Sequence, residues 1–143
     1  MPVRVGFEGY DENVKACIKL LAEKYAGKYE ISFIRIEDAE EMKEKCPELK
    51  DKFTKFTAQL IHNSDVIVES SASTGSKLIE LSAKQNLLHQ DVFYYTLNKA
   101  QFDENAKLIE ALSAQFAGHC LLKYAQDPAK CVAAIAADEK WDE

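Results

Sequence analysis

Short apolar runs alternate with amphipathic helical segments along the whole chain, and that alternation constrains the fold more than any other feature. Residues 3–7 are β-branched and apolar and predict a strand. Past Gly6 and Gly9, Asp11 is placed to cap a helix, its carboxylate accepting an orphan backbone N–H. Val14, Cys17, Ile18, Leu21, Ala22 and Tyr25 then recur as one helical stripe, and Gly27 closes it. Residues 30–36 alternate as a second strand with Ile31, Phe33 and Arg35 on one face. A charged stretch, 37–64, is divided at Pro47, because proline inside a helix loses a hydrogen bond and clashes with the turn before it. Beyond it, Leu49, Phe53, Phe56 and Leu60 recur at spacings of 4, 3 and 4, which predicts an amphipathic helix. Residues 65–69 predict a third strand, 76–89 a helix and 91–97 a fourth strand. Asp103 is placed to cap a helix carrying Leu108, Ile109, Leu112 and Phe116, ended by Gly118. Residues 119–124 predict a fifth strand, and Asp127-Pro128 starts a last helix with Cys131, Val132, Ile135 and Ala136 inward.

Strands separated by helices pair in parallel through right-handed crossovers. The expectation is therefore an α/β, three-layer flavodoxin-like sandwich over residues 1–143 as one domain, with a five-stranded parallel sheet in the order 2-1-3-4-5. With 18 Lys+Arg against 24 Asp+Glu, the net charge of −6 argues against a nucleic-acid binder that works by covering phosphates. No apolar run reaches the roughly 18 residues of a membrane span. The chain runs from its first residues into a predicted strand, so no leader is expected, and a cytoplasmic location is. Cys17, Cys46, Cys120 and Cys131 are far apart, which fits free thiols better than disulfides. The histidines, His62, His89 and His119, offer no ligand cluster, so no metal and no cofactor is expected.

In such sheets ligands sit at the carboxyl ends of the strands, where strand order reverses. That directs attention to the loop after the first strand, Gly6, Phe7, Glu8, Gly9 and Tyr10, and to the loop after the third, 69–76. Three of the five glycines, Gly6, Gly9 and Gly75, fall in these loops. They either let backbone approach a ligand closely or serve the turns alone. The second loop is dense in hydroxyls (Ser71, Ser73, Thr74, Ser76) and opens a helix, where backbone N–H groups can hold an anion or the hydroxyls can simply cap. Neither a P-loop nor a Gly-x-Gly-x-x-Gly fingerprint is present.

The stretch Leu60-Ile-His-Asn-Ser-Asp-Val-Ile-Val-Glu69, followed by Ser73-Thr-Gly-Ser-Lys-Leu-Ile-Glu-Leu81, resembles the nucleoside 2-deoxyribosyltransferase family and is similar to Toll/interleukin-receptor-like domains. The resemblance implies a flavodoxin-like fold and a homodimer. It also implies a nucleoside, nucleotide or NAD-like ligand whose N-glycosidic bond is cleaved or transferred. Under it, Glu80 matches the catalytic glutamate, Glu69 the acidic residue ending the third strand, and Tyr10 or Phe7 the aromatic contact to the base. Such cleavage passes through an oxocarbenium-like state that a carboxylate can stabilise or trap. Glu80 also stands four residues before Lys84 on a polar stripe, where a solvated ion pair explains it equally well.

Two readings of another class stay open. Glu8, Asp11, Glu69, Thr96 and Lys123 fall at strand ends like the acidic pocket, Thr and Lys of response-regulator receivers. A glutamate there in place of the phosphorylated aspartate would make a pseudo-receiver signalling module. Alternatively the charged stretch 38–64, with Phe53 and Phe56, is a protein-interaction surface, and Trp141 in the polar tail anchors a partner or folds back.

Overall fold

In a computed structural model of the chain, residues 2–70, 92–112 and 120–137 are described. Strand β1 (Val3–Glu8) leads into helix α1 (Glu12–Lys24), β2 (Tyr29–Arg35) and α2 (Ala39–Lys45). A single 3₁₀ turn, Pro47–Leu49, precedes β3 (Phe53–Thr54), α3 (Thr57–His62) and β4 (Val66–Glu69). Then come β5 (Val92–Thr96), α4 (Lys99–Leu112), β6 (Cys120–Tyr124) and α5 (Pro128–Ala137). The helix expected over 76–89, the hydroxyl loop 71–76 and the tail 138–143 lie outside the described residues.

The six strands form one parallel sheet in the order β3-β2-β1-β4-β5-β6. Strand count and order thus depart from the five-stranded expectation, and the cause is β3. Phe53 and Phe56 do not share a helix face. Phe53 is buried in the sheet edge, Phe56 stands exposed, and α3 begins only at Thr57. Pairing of Ile34 with Phe53 and Arg35 with Thr54 is worth more here than the helical spacing. A bulge opposite β1, between Val5 and Phe7, shifts the phase of β2, so Ile31 and Ile34 share a face and Phe33 does not join them.

Asp11 caps α1 as expected, its Oδ1 accepting from the Val14 N–H at 2.9 Å, and Val14, Cys17 and Leu21 are buried. Asp127 caps α5 in the same way, accepting from the Lys130 N–H at 2.8 Å. The cap expected of Asp103 belongs instead to Asn98, five residues earlier, whose Oδ1 accepts from the Gln101 N–H at 3.1 Å. One face of the sheet packs Val5, Phe7, Val66, Val68 and Tyr95 against Val14, Cys17 and Leu21 of α1, Ala39 of α2, and Cys131, Val132 and Ile135 of α5. On the other face, a Cβ at Gly6 would lie 2.5 Å from Leu60 and 2.2 Å from the Ser64 hydroxyl, so the glycine lets α3 sit directly on the sheet. Helices on opposite faces follow from right-handed crossovers that run outward in both directions from β1 and β4.

Candidate functional site

The crossover direction reverses between β1 and β4, so the switch point lies between Glu8 and Glu69, the last residues of those strands. They are Cα partners, and the pairing continues outward on both sides. Arg35 pairs with Glu8, Thr96 with Glu69, and Tyr124 with Thr96. A backbone hydrogen bond just beyond each partner locks the row. Gly9 N donates to Arg35 O, Ser70 N to Glu8 O, Leu97 N to Glu69 O and Ala125 N to Thr96 O, at 2.8 to 3.1 Å. Partners in a parallel ladder present their side chains to the same face. The terminal row Arg35–Glu8–Glu69–Thr96–Tyr124 therefore forms a belt on one face of the sheet at its carboxyl edge.

Two carboxylates are buried in this belt. Glu69 is fully buried, and both its oxygens accept from Asn105 Nδ2 of α4, at 3.1 and 2.9 Å. Glu8 is nearly so, with Oε1 accepting from Arg35 Nη1 at 2.9 Å. Arg35 Nη2 reaches the exposed Glu37. Burial raises the pKa of Glu69 to about 7 against the opposing pull of Asn105, with the charge of Glu8 adding to the rise. Burial likewise raises Glu8 to about 7, although Arg35 pulls it down. Both groups thus titrate near neutrality, where one can hold a proton while the other is ionised.

Polar atoms without a partner collect at the same place. Glu8 Oε2, Arg35 Nε, Ser70 Oγ and Asn105 Oδ1 are buried and have no hydrogen-bond partner among the described residues. They are four of the five such atoms among the described residues. An unsatisfied buried group costs about 1–3 kcal/mol, so a cluster of them calls for a polar ligand atom or water. Gly9, at φ +89°, turns the β1 loop against β4, and a Cβ there would lie 2.3 Å from Ser70 Oγ. The two strand-end loops therefore touch across the switch point.

The expected site residues divide. Glu8, Glu69 and Gly9 are brought together. Phe7 packs on the opposite face of the sheet, in the hydrophobic core, and Gly6 lies beneath Leu60 and Ser64. Tyr10 turns toward the sheet edge, its ring edge-on to Phe53 at 5.3 Å between centroids. Glu80, Ser71, Ser73, Thr74, Gly75 and Ser76 lie outside the described residues. The receiver-like set is not gathered on one face. Asp11 is engaged as a helix cap, the Thr96 hydroxyl accepts from Asn98 N at 3.2 Å, and Lys123 pairs with Tyr95 on the opposite face from Glu69. Arg35, Ser70 and Asn105 complete the site without having been singled out as ligands. Asn105 did carry a signal: it stands three and four residues before Leu108 and Ile109, on the stripe assigned to the core. Among the described residues, no group of three or more His, Cys, Asp or Glu could hold a metal ion, and no helix is long and apolar enough to cross a membrane.

The fold and its switch point define a doubly wound, all-parallel α/β domain. No family model matches the chain, and no curated protein matches it in sequence. In fold it is similar to a homoserine dehydrogenase from Thiobacillus denitrificans, at TM-score 0.60 and 14% identity, covering 85% of this chain and 29% of that one. It is also similar to the Bacillus subtilis protein YvaA, assigned as an oxidoreductase, at TM-score 0.53 and 15% identity, covering 85% of this chain and 34% of that one. The chain thus spans about a third of the length of each.

Proposed function

We propose that this domain binds a nucleoside at the switch point, with the sugar hydroxyls donating to Glu8 and Glu69. The observation that carries the reading is the cluster of four unpartnered buried polar atoms around two carboxylates held in register at the carboxyl ends of β1 and β4. Doubly wound sheets take their ligands there, and a carboxylate is the usual acceptor for ribose hydroxyls in such folds. Arg35 Nε and Ser70 Oγ supply donors, and Asn105 Oδ1 and Glu8 Oε2 supply acceptors. A pyrophosphate is disfavoured at the first helix. The Asp11 carboxylate already takes the Val14 N–H, and Glu12 adds negative charge in the first turn, where a dinucleotide would need free N–H groups. The ligand end at the switch point is therefore the uncharged sugar.

The same pair supports cleavage of the N-glycosidic bond as the finer reading. The carboxyl that holds its proton near neutrality gives it to the departing base nitrogen, which keeps the electron pair of the broken C1′–N bond. The ionised partner stabilises the cationic sugar until water adds at C1′ and releases a proton. Glu80 is the further candidate for the stabilising role by resemblance alone.

The test is a thermal-shift screen with ribo- and deoxyribonucleosides, their monophosphates and NAD, followed by an absorbance assay for released base. Nucleosides should raise the melting temperature, as RT ln(1 + [L]/Kd) requires, and Glu69→Gln should abolish the rise. A screen in which no nucleoside stabilises the protein refutes the binding reading. Binding without base release by the wild type refutes only the catalytic one.

A further inference from the structure

The belt has a second end that the carboxylates do not use. Tyr124 closes the row on β6 and is 40% exposed, one of only two large apolar side chains so exposed among the described residues. Phe102 of α4 stands beside it, with ring centroids 6.2 Å apart and planes at 54°. Lys99 Nζ lies 4.8 Å from the Phe102 centroid and 5.6 Å from that of Tyr124, so a cation holds the two rings together. Lys99 is itself bound to Asp103 at 3.4 Å.

Three facts tie this aromatic corner to the carboxylates. Tyr124 is reached from Glu69 by two steps of unbroken register through Thr96, so both present to the same face of the sheet. The same helix serves both ends, α4 giving Asn105 to Glu69 and Phe102 to Tyr124. Two strand spacings put the Cα atoms of Glu69 and Tyr124 roughly 10 Å apart, the reach of a nucleoside from its sugar hydroxyls to the far edge of its base. The exposed Tyr124 ring offers a flat face on which a base can stack.

The geometry points to Tyr124 and Phe102 as the base-stacking subsite of the nucleoside site, a deduction that rests on the sugar-binding reading of Glu8 and Glu69. The base lies against the exposed Tyr124 ring, backed by Phe102, while the sugar faces the carboxylates. Stacking reads a π-face and not a hydrogen-bonding edge, so this end tolerates different bases and favours the larger purines.

The experiment uses adenosine and uridine as probes on the full chain, by titration calorimetry and by saturation-transfer difference NMR. Tyr124→Ala should weaken adenosine binding about 5- to 150-fold, the span of one lost base–aromatic stack, and weaken uridine less. Tyr124→Phe should stay within about twofold of wild type, since the ring is kept. In the NMR experiment, saturation of the adenosine H2 and H8 protons should fall relative to the sugar protons in Tyr124→Ala, which a purely structural role would not cause. Adenosine affinity unchanged in Tyr124→Ala, with affinity lost in Glu69→Gln, overturns the subsite and leaves the sugar site standing. Wild type that binds neither probe overturns the sugar site and the subsite with it.

Discussion

Strand β1 carries an arginine–carboxylate pair at each end, and the two are built differently. At its start, Arg4 grips Asp65 through two guanidinium contacts, Nη2 to Oδ1 at 3.1 Å and Nε to Oδ2 at 3.3 Å, and its backbone N–H adds a third at 2.9 Å. Both side chains are about a third exposed, at 37% and 33%. The hydrogen bond to Asp65 raises the Arg4 pKa further, so the guanidinium is charged at every working pH. At the other end, Arg35 and Glu8 share one contact at 2.9 Å and are more buried, at 20% and 9%. Glu8 Oε2 and Arg35 Nε are left over, beside a second buried carboxylate. The same chemistry thus appears once saturated and wet, and once buried and incomplete. The first is a clamp between β1 and the start of β4. The second keeps its hydrogen-bonding capacity for something else, which is how a binding site differs from a structural ion pair.

The largest separation of the two ends should come from Glu69→Gln. Loss of a hydrogen bond to a charged acceptor costs about 1.5–3 kcal/mol, so nucleoside affinity should fall roughly 10- to 150-fold by calorimetry. Stability should move the other way. Glu8 and Glu69 are raised to about 7 by burial, so between the ordinary glutamate pKa and 7 the native state holds more protons than the unfolded chain. Stability should therefore fall as pH rises through that window, by about 1–3 kcal/mol per group, and level off above it. Glu69→Gln removes one of the two contributions. Denaturant melts from pH 4.5 to 8 should show a shallower slope in the variant and equal or greater stability at pH 8. A wild-type stability that rises with pH over this range would contradict the burial argument.

Gly9→Ala sharpens the contrast at the loop. Its positive φ disfavours an L side chain by about 1–2 kcal/mol, and the new methyl would meet Ser70 Oγ, so both stability and affinity should drop. Asp65→Ala should have the smallest effect, up to about 1 kcal/mol of stability, as expected of a partly exposed pair, with nucleoside affinity unchanged. An affinity loss there would mean the two ends are coupled and the comparison fails.

Local signals made much of this legible. Asp11 and Asp127 announce their helices because a cap is a short-range hydrogen bond between neighbours in sequence. The parallel pairing follows from alternation alone, and Glu69 stands out as the acid ending an apolar run. β3 escaped because two residues carry no period, and the spacing of Leu49, Phe53, Phe56 and Leu60 imitates a helix by coincidence. Asn98 and Asp103 are both good caps, and five residues separate the right choice from the wrong one. The belt itself is a matter of register. The sequence places Glu8, Glu69 and Thr96 at strand ends, but nothing in it adds Arg35 and Tyr124 to their row, since that pairing depends on a bulge in one ladder and on where each strand ends.

Carboxyl ¹³C NMR of glutamate-labelled protein tests the central claim most directly, with resonances assigned through Glu8→Gln and Glu69→Gln. Glu8 and Glu69 should titrate near 7 in the free protein, well above the ordinary glutamate value, and both should shift on addition of adenosine while glutamates far from the switch point, such as Glu23 on α1, do not. Titration of both near the ordinary glutamate value, with neither resonance moved by adenosine, would contradict it.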